Sequence, residues 1–506
     1  MSLLKKQLGL NSVAVIDIGS NSVRWVVYDN IVRLPQVLFN EKISCALGSG
    51  IELTGLLNQQ GVELSYKAFK RFRFLMDKIG VNKIYAFATA AVRDALNGKE
   101  FINKAETILK ISITILSGEQ EAHYAALGIK SGFFQPQGLV ADLGGGSLEL
   151  SYIEKGDIEL ATSFPLGGLR LHDKANGRLS NARDLVKDCL SNSNFLQKFL
   201  SKDFKNFYAI GGIWRSIAKL HMSAKNYPLK ILHGYIINLE EIRRFLQRIA
   251  KGDVDHLKGI ENIAKNRRYL LAYGAIVLGE LLSILRPQKI LISSYGIREG
   301  CLYQLLPTKI QEQDPLLSFA SEMSKSYSRS LSHISELIKW TEQSFIALDI
   351  KENHIEKRYR EAACYLLDIG WRAEVDYKGV QAFDMIVYGG IAGATHTARL
   401  FIACAVYYGN QLSMKEFKNN ELVNSLLSQE NHKKAKILGI LLSTATLLSA
   451  FNTGIISELV WENDDKQVTL VIPQKYLDLM GENLDKRLAS LKQLISKNIE
   501  CKISYS

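Results

Sequence analysis

The chain has 506 residues, of which 47% are hydrophobic and 23% charged, with 37 glycines and only 8 prolines. This composition is typical of a globular protein of several domains and excludes a disordered or fibrous chain. The formal net charge of +12 favours an anionic partner, such as nucleic acid, an acidic membrane or a phosphate-rich molecule, although many basic proteins bind no particular anion.

The cysteines and the N-terminus indicate a cellular setting. The six cysteines are scattered and none forms a CxxC pair, which suits a reducing cytoplasm. Two lysines near the start are not followed by a long apolar segment, so we expect no signal peptide. The most apolar window, residues 437–456, is long enough to span a bilayer but contains Ser, Thr, Asn and Gly. We expect it to form a buried pair of helices, with no membrane association.

The first predicted element is a strand–turn–strand unit, VAVIDIGSNSVRWVVYD, at Val13–Asp29. Asp17 ends the first apolar strand, and Gly19 permits a backbone conformation that would strain other residues. Successive amides in such a turn form an anion-binding concavity. We therefore expect a phosphate-binding loop whose members are Gly19, Ser20, Asn21 and Ser22, assisted by Arg24 on the second strand.

Two further strands and a helix follow. Lys83–Ala91 predicts a strand that runs into a turn, and Arg93 beyond it offers bidentate contacts to phosphate. Ser112–Gly118 predicts another strand, which leads into a helix that opens with Glu119, Gln120 and Glu121. Carboxylates in a first helical turn are favoured by the helix dipole, but a carboxylate at the edge of a cleft could also act as a general base. The residues alone leave these two interpretations equal.

The opening unit recurs as LVADLGGGSLELSYIE at Leu139–Glu154. An ungapped alignment places Asp142 on Asp17 and Glu149 on Arg24. The glycines let the backbone approach a ligand closely, which predicts a second phosphate loop made of Gly144, Gly145, Gly146 and Ser147. Asp142 and Glu149 suit Mg²⁺, which prefers carboxylate and phosphate oxygens, and Asp17 is a third candidate ligand.

The remaining pattern predicts the domain organisation. Phe207–Leu220 and Pro287–Leu306 each predict a strand, a turn and a helix. Strands that alternate with helices predict α/β layers, and the shared opening unit predicts two related lobes, at residues 12–130 and 131–310. Beyond these, apolar residues recur at three- and four-residue spacing. We expect a separate helical domain at 315–506 that also contains a strand at Gln467–Pro473.

These segments resemble, in order, signatures of the exopolyphosphatase / guanosine pentaphosphate phosphatase family of the actin–Hsp70–sugar kinase superfold. DIGSNSVR and DLGGGSLEL are similar to its two phosphate loops, ATAAVRDALNG to its second signature and LSGEQEA to its catalytic segment. AIGGIWRSIAKL and SSYGIREGCL fit later segments. The resemblance covers roughly residues 12–305. It implies an α/β fold of duplicated actin-like (ribonuclease H-like) lobes.

The resemblance also implies a reaction. Family members hydrolyse the terminal phosphoanhydride of inorganic polyphosphate, and some remove the 5′ phosphate of guanosine pentaphosphate. The family's catalytic glutamate directly precedes the alanine of its Glu-Glu-Ala segment, which implies Glu121 as the general base, while Gln120 replaces the first glutamate. Asp142 and Glu149 match the family's metal- and phosphate-site acids. Because the metal is inferred from carboxylate chemistry, Mn²⁺ is the alternative to Mg²⁺.

The helical region has a counterpart as well. Residues 360–406 are similar to the HD-like C-terminal domain of the longer exopolyphosphatases. A metal-binding HD site needs a histidine directly before its aspartate, but Leu367 precedes Asp368, although His354 and His396 remain. We therefore expect an all-α HD-like domain that is structural or guides the substrate, rather than a second phosphohydrolase centre.

The expected partner is inorganic polyphosphate, which basic side chains of the second lobe and the helical domain would hold; no nucleic acid is expected. Hydrolysis of guanosine pentaphosphate stays open. An ATP-driven kinase or chaperone of the same superfold is a second alternative, because Gly211-Gly212 could be a nucleoside-binding turn, but GEQEA fits a hydrolase better. A non-catalytic polyphosphate- or nucleic-acid-binding module is the third, and the presence of every acidic site position disfavours it. A homodimer is compatible with the sequence.

Overall fold

The computed structural model of the chain describes residues 11–199, 202–203, 205–411, 420–464, 467–495 and 497–505. It divides into two compact units, unit 1 at Met1–Gln313 and unit 2 at Asp314–Ser506. Residues 1–10, on which the signal-peptide expectation partly rests, lie outside the described residues. All six cysteines belong to the described residues, and each is unpaired.

The first sheet of unit 1 contains β1 (Val13–Ile18), β2 (Ser22–Tyr28), β3 (Val37–Ser44), β4 (Lys83–Ala88) and β5 (Thr114–Ile115). Its order is β3-β2-β1-β4-β5, with β1 antiparallel to β2 and parallel to β4. The Val, Ile and Trp side chains of β1 and β2 are almost wholly buried, as expected for strands that are covered on both faces. The accompanying helices are α1 (Ile51–Thr54), α2 (Gln59–Ile79), α3 (Ala90–Asp94), α4 (Gly98–Leu109) and α5 (Gly118–Gly132).

The second sheet of unit 1 contains β6 (Gly138–Leu143), β7 (Leu148–Glu154), β8 (Asp157–Phe164), β9 (Asn206–Ile210), β10 (Ile236–Asn238) and β11 (Lys289–Ile292). Its order is β10-β11-β9-β6-β7-β8. The helices of this part are α6 (Gly168–Lys174), α7 (Leu179–Ser191), α8 (Asn194–Gln197), α9 (Gly212–Ala224), α10 (Leu239–Ile249), α11 (Lys265–Arg268), α12 (Leu270–Leu285), α13 (Ile297–Gln304) and α14 (Thr308–Gln311).

The two sheets share one topology, which confirms the predicted duplication. The order β3-β2-β1-β4-β5 in the first sheet corresponds to β8-β7-β6-β9-β11 in the second. In both, the first three strands are antiparallel and the next two are added in parallel. The register pairs Asp17 with Arg24 in the first hairpin and Asp142 with Glu149 in the second. The two acids and their unequal partners therefore occupy equivalent positions.

One helical stretch of the described residues, Lys265–Leu285, is long and apolar enough to cross a membrane by length and composition alone. Inside the protein, 67% of its most apolar window is buried. Leu271, Ile276 and Leu281 pack in the same hydrophobic cluster as the inner face of the second sheet. The apolar composition of this stretch thus matches its place in the core of unit 1.

Unit 2 contains α15 (Pro315–Tyr327), α16 (Ser332–Ala347), α17 (His354–Leu366), α18 (Lys378–Tyr388), α19 (His396–Asn410), α20 (Asn420–Leu426), α21 (Gln429–Ser449) and α22 (Glu482–Ile495). The apolar window 437–456 was predicted to form a buried pair of helices, but residues 437–449 form the second half of the single helix α21 and the chain turns at Ala450, whose φ is 47°. The predicted strand is present as β13 (Gln467–Pro473). It pairs with β12 (Val460–Asn463) and β14 (Asn498–Ser504), so the unit is mainly helical and not all-α.

Candidate active site

The two predicted phosphate loops have the same backbone turn. The amide of Gly19 donates to the carbonyl of Ser22 at 3.1 Å, and the amide of Gly144 donates to the carbonyl of Ser147 at 2.9 Å. Each loop connects the two strands of its hairpin, β1 to β2 and β6 to β7. The repeated sequence therefore produces a repeated local geometry.

The second loop approaches the first so closely that it requires glycine. A Cβ atom added to Gly146 would lie 2.6 Å from Ser20 Oγ and 2.9 Å from Ala90 Cβ. One added to Gly145 would lie 3.2 Å from Ser20 Cβ and 3.4 Å from Asn21 Cβ. The loops are thus in near contact, and their amides border the same space.

That space is a cavity of about 170 Å³. It brings together every predicted site residue except Arg93, namely Asp17, Gly19, Ser20, Asn21, Ser22, Arg24, Glu121, Asp142, Gly144, Gly145, Gly146, Ser147 and Glu149. These residues are contributed by both lobes of unit 1. The arrangement places loop amides, basic side chains and carboxylates around one ligand-sized space.

Arg93 is not among the residues that line this cavity. It lines a neighbouring cavity of about 450 Å³, which shares Ser147 with the first. Its guanidinium donates to the carboxylate of Glu121 and, at 2.9 Å, to the carbonyl of Leu116. In the structure Arg93 is therefore the partner of the candidate base, beside the loop cavity but not in its lining, and its contact with phosphate stays a prediction.

Glu121 is held by the first turn of α5. Ser117 caps this helix, because its hydroxyl accepts from the amide of Gln120 at 3.2 Å while the side chain of Gln120 accepts from the amide of Ser117 at 2.9 Å. Glu121 is only 3% exposed, whereas Glu119 is exposed and lines the neighbouring cavity. The structure thus distinguishes the buried Glu121, which the family resemblance implies as the base, from the exposed Glu119 in the same helical turn.

The capping box explains Gln120, the departure from the Glu-Glu-Ala pattern. We expect Gln120→Ala to lower the free energy of unfolding by about 1 kcal/mol, because the amide of Ser117 loses its side-chain acceptor. Gln120→Glu should retain the stability, since either side chain completes the box. Chemical denaturation measures both changes. An Ala variant as stable as the wild type would contradict this role.

The electrostatics of Glu121 suit a proton acceptor. Burial raises its pKa to about 8, the charge and hydrogen bond of Arg93 work against that rise, and the nearby carboxylates of Asp142 and Asp17 add to it. A general base is most effective when its pKa lies near the working pH. Burial and the ion pair with Arg93 bring Glu121 into that range.

The two acids of the second hairpin are also affected by burial. It raises the pKa of Asp142 to about 6, and the pKa of Glu149 lies well above its usual range because of burial and the charges of Glu121 and Asp142. Ser163 Oγ donates to Glu149 at 2.9 Å. Carboxylates crowded in this way fit a divalent cation, which would neutralise their repulsion.

The donor set defines how such a cation would be held. No group of three or more His, Cys, Asp or Glu side chains converges as a ready-made metal site among the described residues. Mg²⁺ is commonly bound by one or two carboxylates, with water and substrate phosphates completing the shell. Asp142 and Glu149 fit that mode, whereas Asp17 accepts from Arg298 Nη1 at 2.8 Å.

Sequence reasoning missed four basic residues that line the cavity: Lys42, Arg215, Arg267 and Arg298. Arg215 and Arg298 carried a detectable signal, because each follows a strand and a glycine turn, in IGGIWR and SYGIR, at the start of a helix. Burial and the charges of the surrounding arginines lower the pKa of Lys42 to about 8. The cations repel one another, and a bound polyanion would relieve that repulsion.

The HD-like candidates of unit 2 do not converge. His354 begins α17 and Asp368 lies just beyond its end, so about 20 Å of helix axis separates them. Asp368 instead accepts from Arg329, from Nε at 3.1 and 3.0 Å and from the backbone amide at 2.8 Å. The ion pair occupies the carboxylate that an HD site would give to a metal.

Two lobes of one sheet topology place two glycine-rich loops, basic side chains and a buried glutamate around one cavity, and these are the groups that phosphoanhydride hydrolysis uses. Residues 26–309 match the Ppx/GppA phosphatase family, and residues 316–501 match the family described as Exopolyphosphatase, C-terminal. The chain belongs to the Ppx/GppA phosphatase family. Phosphatases of this family generally depend on a divalent metal.

The chain is similar to proteins with different descriptions. It is 25% identical to Retrograde regulation protein 2 of Saccharomyces cerevisiae, over 84% of this chain and 77% of that protein. It is 24% identical to a Guanosine-5'-triphosphate,3'-diphosphate pyrophosphatase of Aeromonas hydrophila, over 92% and 93%. A crystal structure of an exopolyphosphatase from Cytophaga hutchinsonii, 21% identical, superposes with a TM-score of 0.53, over 58% of this chain and 97% of that one. This structural similarity supports the fold described above and does not bear on the substrate.

Proposed function

We propose that this protein is an exopolyphosphatase, which hydrolyses the terminal phosphoanhydride of inorganic polyphosphate and releases orthophosphate. The observation that carries the proposal is the cavity, in which a buried glutamate lies beside two phosphate loops. Five basic residues line the same cavity: Arg24, Lys42, Arg215, Arg267 and Arg298. A chain-end phosphate needs this combination of amide donors, positive charge and a base.

The residues divide the reaction between them. The loop amides inside the two turns, those of Ser20, Asn21, Gly145 and Gly146, would donate to the oxygens of the terminal phosphoryl group. Glu121 would take a proton from the attacking water, whose oxygen forms the new bond to phosphorus as the bridging anhydride bond breaks. The shortened polyphosphate leaves with the electron pair of that bond. Arg93 would hold the Glu121 carboxylate in place between turnovers.

Mg²⁺ is the proposed cofactor, with Mn²⁺ as the alternative. Asp142 and Glu149 would hold it, and their crowding in the cavity supports this assignment. When bound, the ion would neutralise charge on the phosphate oxygens. Asp17 would position Arg298 for the same substrate, since the two side chains form an ion pair at 2.8 Å.

The runner-up is the hydrolysis of guanosine pentaphosphate. The full-length similarity to the Aeromonas hydrophila relative favours it. The composition of the cavity favours polyphosphate, because none of the described residues that line it is aromatic and could stack on a guanine ring. The backbone itself explains the glycine at position 211, so the Gly211-Gly212 turn is no argument for a nucleoside site. Gly211 has a φ of 108°, and an added Cβ would lie 2.3 Å from the carbonyl oxygen of Leu143.

One assay tests the proposal. Orthophosphate release with Mg²⁺ is measured in parallel from long-chain polyphosphate, guanosine pentaphosphate and ATP. We expect the highest kcat/KM with polyphosphate. A higher value with guanosine pentaphosphate would support the runner-up, and a preference for ATP would support a kinase- or chaperone-like ATPase. No release from any of the three would favour a non-catalytic binding module.

A further inference from the structure

A second basic cavity lies in unit 1, formed by α7, α10 and α12. Its volume is about 750 Å³. Six basic residues line it, and we call them the arginine groove: Arg183, Arg243, Arg244, Arg248, Lys251 and Arg286. Glu280 is the one acidic residue among the described residues of the lining. The site of the proposed reaction uses none of these side chains.

Much of this charge is not neutralised within the protein. Arg243 Nη1 is 3.4 Å from Glu240 Oε1, and its Nη2 donates to the carbonyl of Leu282 at 3.0 Å. Arg183 donates to a backbone carbonyl at 2.7 Å. Arg248, Lys251 and Arg286 form no ion pair with any described residue, and all three are exposed. Six basic side chains gathered beside a single lining acid indicate a site for an anion.

The groove is separate from the catalytic cavity, although α12 borders both. Leu270, at the start of α12, lines the catalytic cavity, while Ala275, Gly279 and Ser283 line the groove. Along the helix axis these groove residues lie from about 8 Å beyond Leu270, at Ala275, to about 20 Å beyond it, at Ser283. At 100° per residue these groove positions lie roughly opposite Leu270 around the helix. The groove therefore opens on another side of the second lobe.

The lining also indicates which anion fits. None of its described members is aromatic, and stacking on aromatic side chains is what single-stranded nucleic acids and nucleotide bases usually require. Leu246 and Ile276 are the large apolar residues of the lining. Two such side chains offer too little apolar surface for insertion into a lipid layer. Long arginine and lysine side chains from three helices suit a flexible, linear anion without bases.

We propose that the arginine groove is an anchoring site for the distal part of a long inorganic polyphosphate chain whose end occupies the catalytic cavity. This inference rests on the proposed function for its choice of anion. An anchored chain keeps its own end at a high effective concentration near the catalytic cavity after each cleavage. A short chain such as tripolyphosphate cannot reach both sites. The groove therefore lowers KM for long chains alone.

The test reverses two charges on different walls of the groove. The double variant Arg248→Glu/Arg286→Glu changes residues that have no ion pair to lose among the described residues. The matched control Lys70→Glu/Lys99→Glu changes the net charge equally at exposed positions on α2 and α4. Orthophosphate release from long-chain polyphosphate and from tripolyphosphate gives the kinetic constants. Anisotropy of end-labelled long-chain polyphosphate, titrated with the whole protein at several salt concentrations, gives the affinity directly.

We expect the groove variant to raise KM for the long chain and to weaken its binding, each by about tenfold. The slope of the logarithm of the binding constant against the logarithm of the salt concentration should become shallower by roughly one to two. The tripolyphosphate constants and the control variant should stay near the wild type. An unchanged long-chain affinity, an equal change for both chain lengths, an equal effect of the control, or tighter groove binding of a single-stranded DNA of matched charge would each overturn the inference. If polyphosphate binds through the groove but is not hydrolysed, the proposed function fails and the anchoring site stands.

Discussion

Glu121→Gln is expected to lower kcat for orthophosphate release by about 10²–10⁴-fold, because the glutamine cannot accept a proton from the attacking water. Binding should survive, since the loop amides and the basic residues of the cavity are unchanged. Initial rates with long-chain polyphosphate and Mg²⁺ measure kcat, and fluorescence anisotropy measures binding. Turnover at the wild-type rate in this variant would remove Glu121 from the mechanism.

The matched control for this variant is Glu119→Gln. Glu119 lies in the same helical turn but is exposed and borders only the neighbouring cavity. Its replacement should change kcat by less than about twofold, as is usual for an exposed side chain away from the chemistry. A large loss in both variants would indicate that α5 needs its acids for the helix dipole and not for proton transfer.

The pH profile follows from the same residue. The pKa of Glu121 is raised to about 8, and the base must be ionised, so kcat/KM should rise as pH rises through that value. Arg93 favours the ionised form, so Arg93→Gln should move this limb to higher pH and lose the most activity at neutral pH. Bound Mg²⁺ also favours ionisation, so higher Mg²⁺ should move the limb to lower pH. A limb that does not respond to Arg93→Gln would assign it to another group.

The sequence predicted the features that reside in short segments. The two hairpins could be found because the acid, the turn and the second strand lie within a dozen residues, and the structure pairs Asp17 with Arg24 and Asp142 with Glu149 in register. The duplicated sheet followed from the same repeat. The strands β12 and β14 were missed, because short strands at the end of a helical region carry too weak a pattern to separate them from turns.

Contacts between distant segments could not be predicted. Arg298 reaches Asp17 across 281 positions of the chain, and Arg93 reaches Glu121 across 28. No periodicity records which side chains a fold brings together, so the pairing of Arg93 with Glu121 was not predicted and Lys42 and Arg267 were not considered. The arginine groove is of the same kind, since its residues come from three helices of the second lobe.

Glu149→Gln should separate stability from activity. In the wild type without metal, burial and the charges of Glu121 and Asp142 raise the pKa of Glu149 well above its usual range. A raised folded pKa contributes stability that is present below the unfolded pKa and is lost as pH rises through the folded pKa. Over that window the wild type loses up to about 1.4 kcal/mol per pH unit. The neutral glutamine does not incur this loss.

The variant should therefore unfold at a higher temperature than the metal-free wild type at pH 8, and the difference should shrink as the pH is lowered towards 5. Thermal unfolding in a chelator at both pH values measures it. Mg²⁺ should stabilise the wild type more than the variant, because binding to the folded state adds stability and the variant lacks one carboxylate ligand.

The activity of the variant should fall by about 10²-fold, because the metal that neutralises phosphate charge would lose one of its carboxylate ligands. Glu159→Gln, an exposed change on the adjacent strand β8, should do neither. A less stable Glu149→Gln variant would mean that Glu149 is ionised and stabilised by protein groups in the metal-free fold. That result would contradict the proposal that its carboxylate needs a cation to neutralise it.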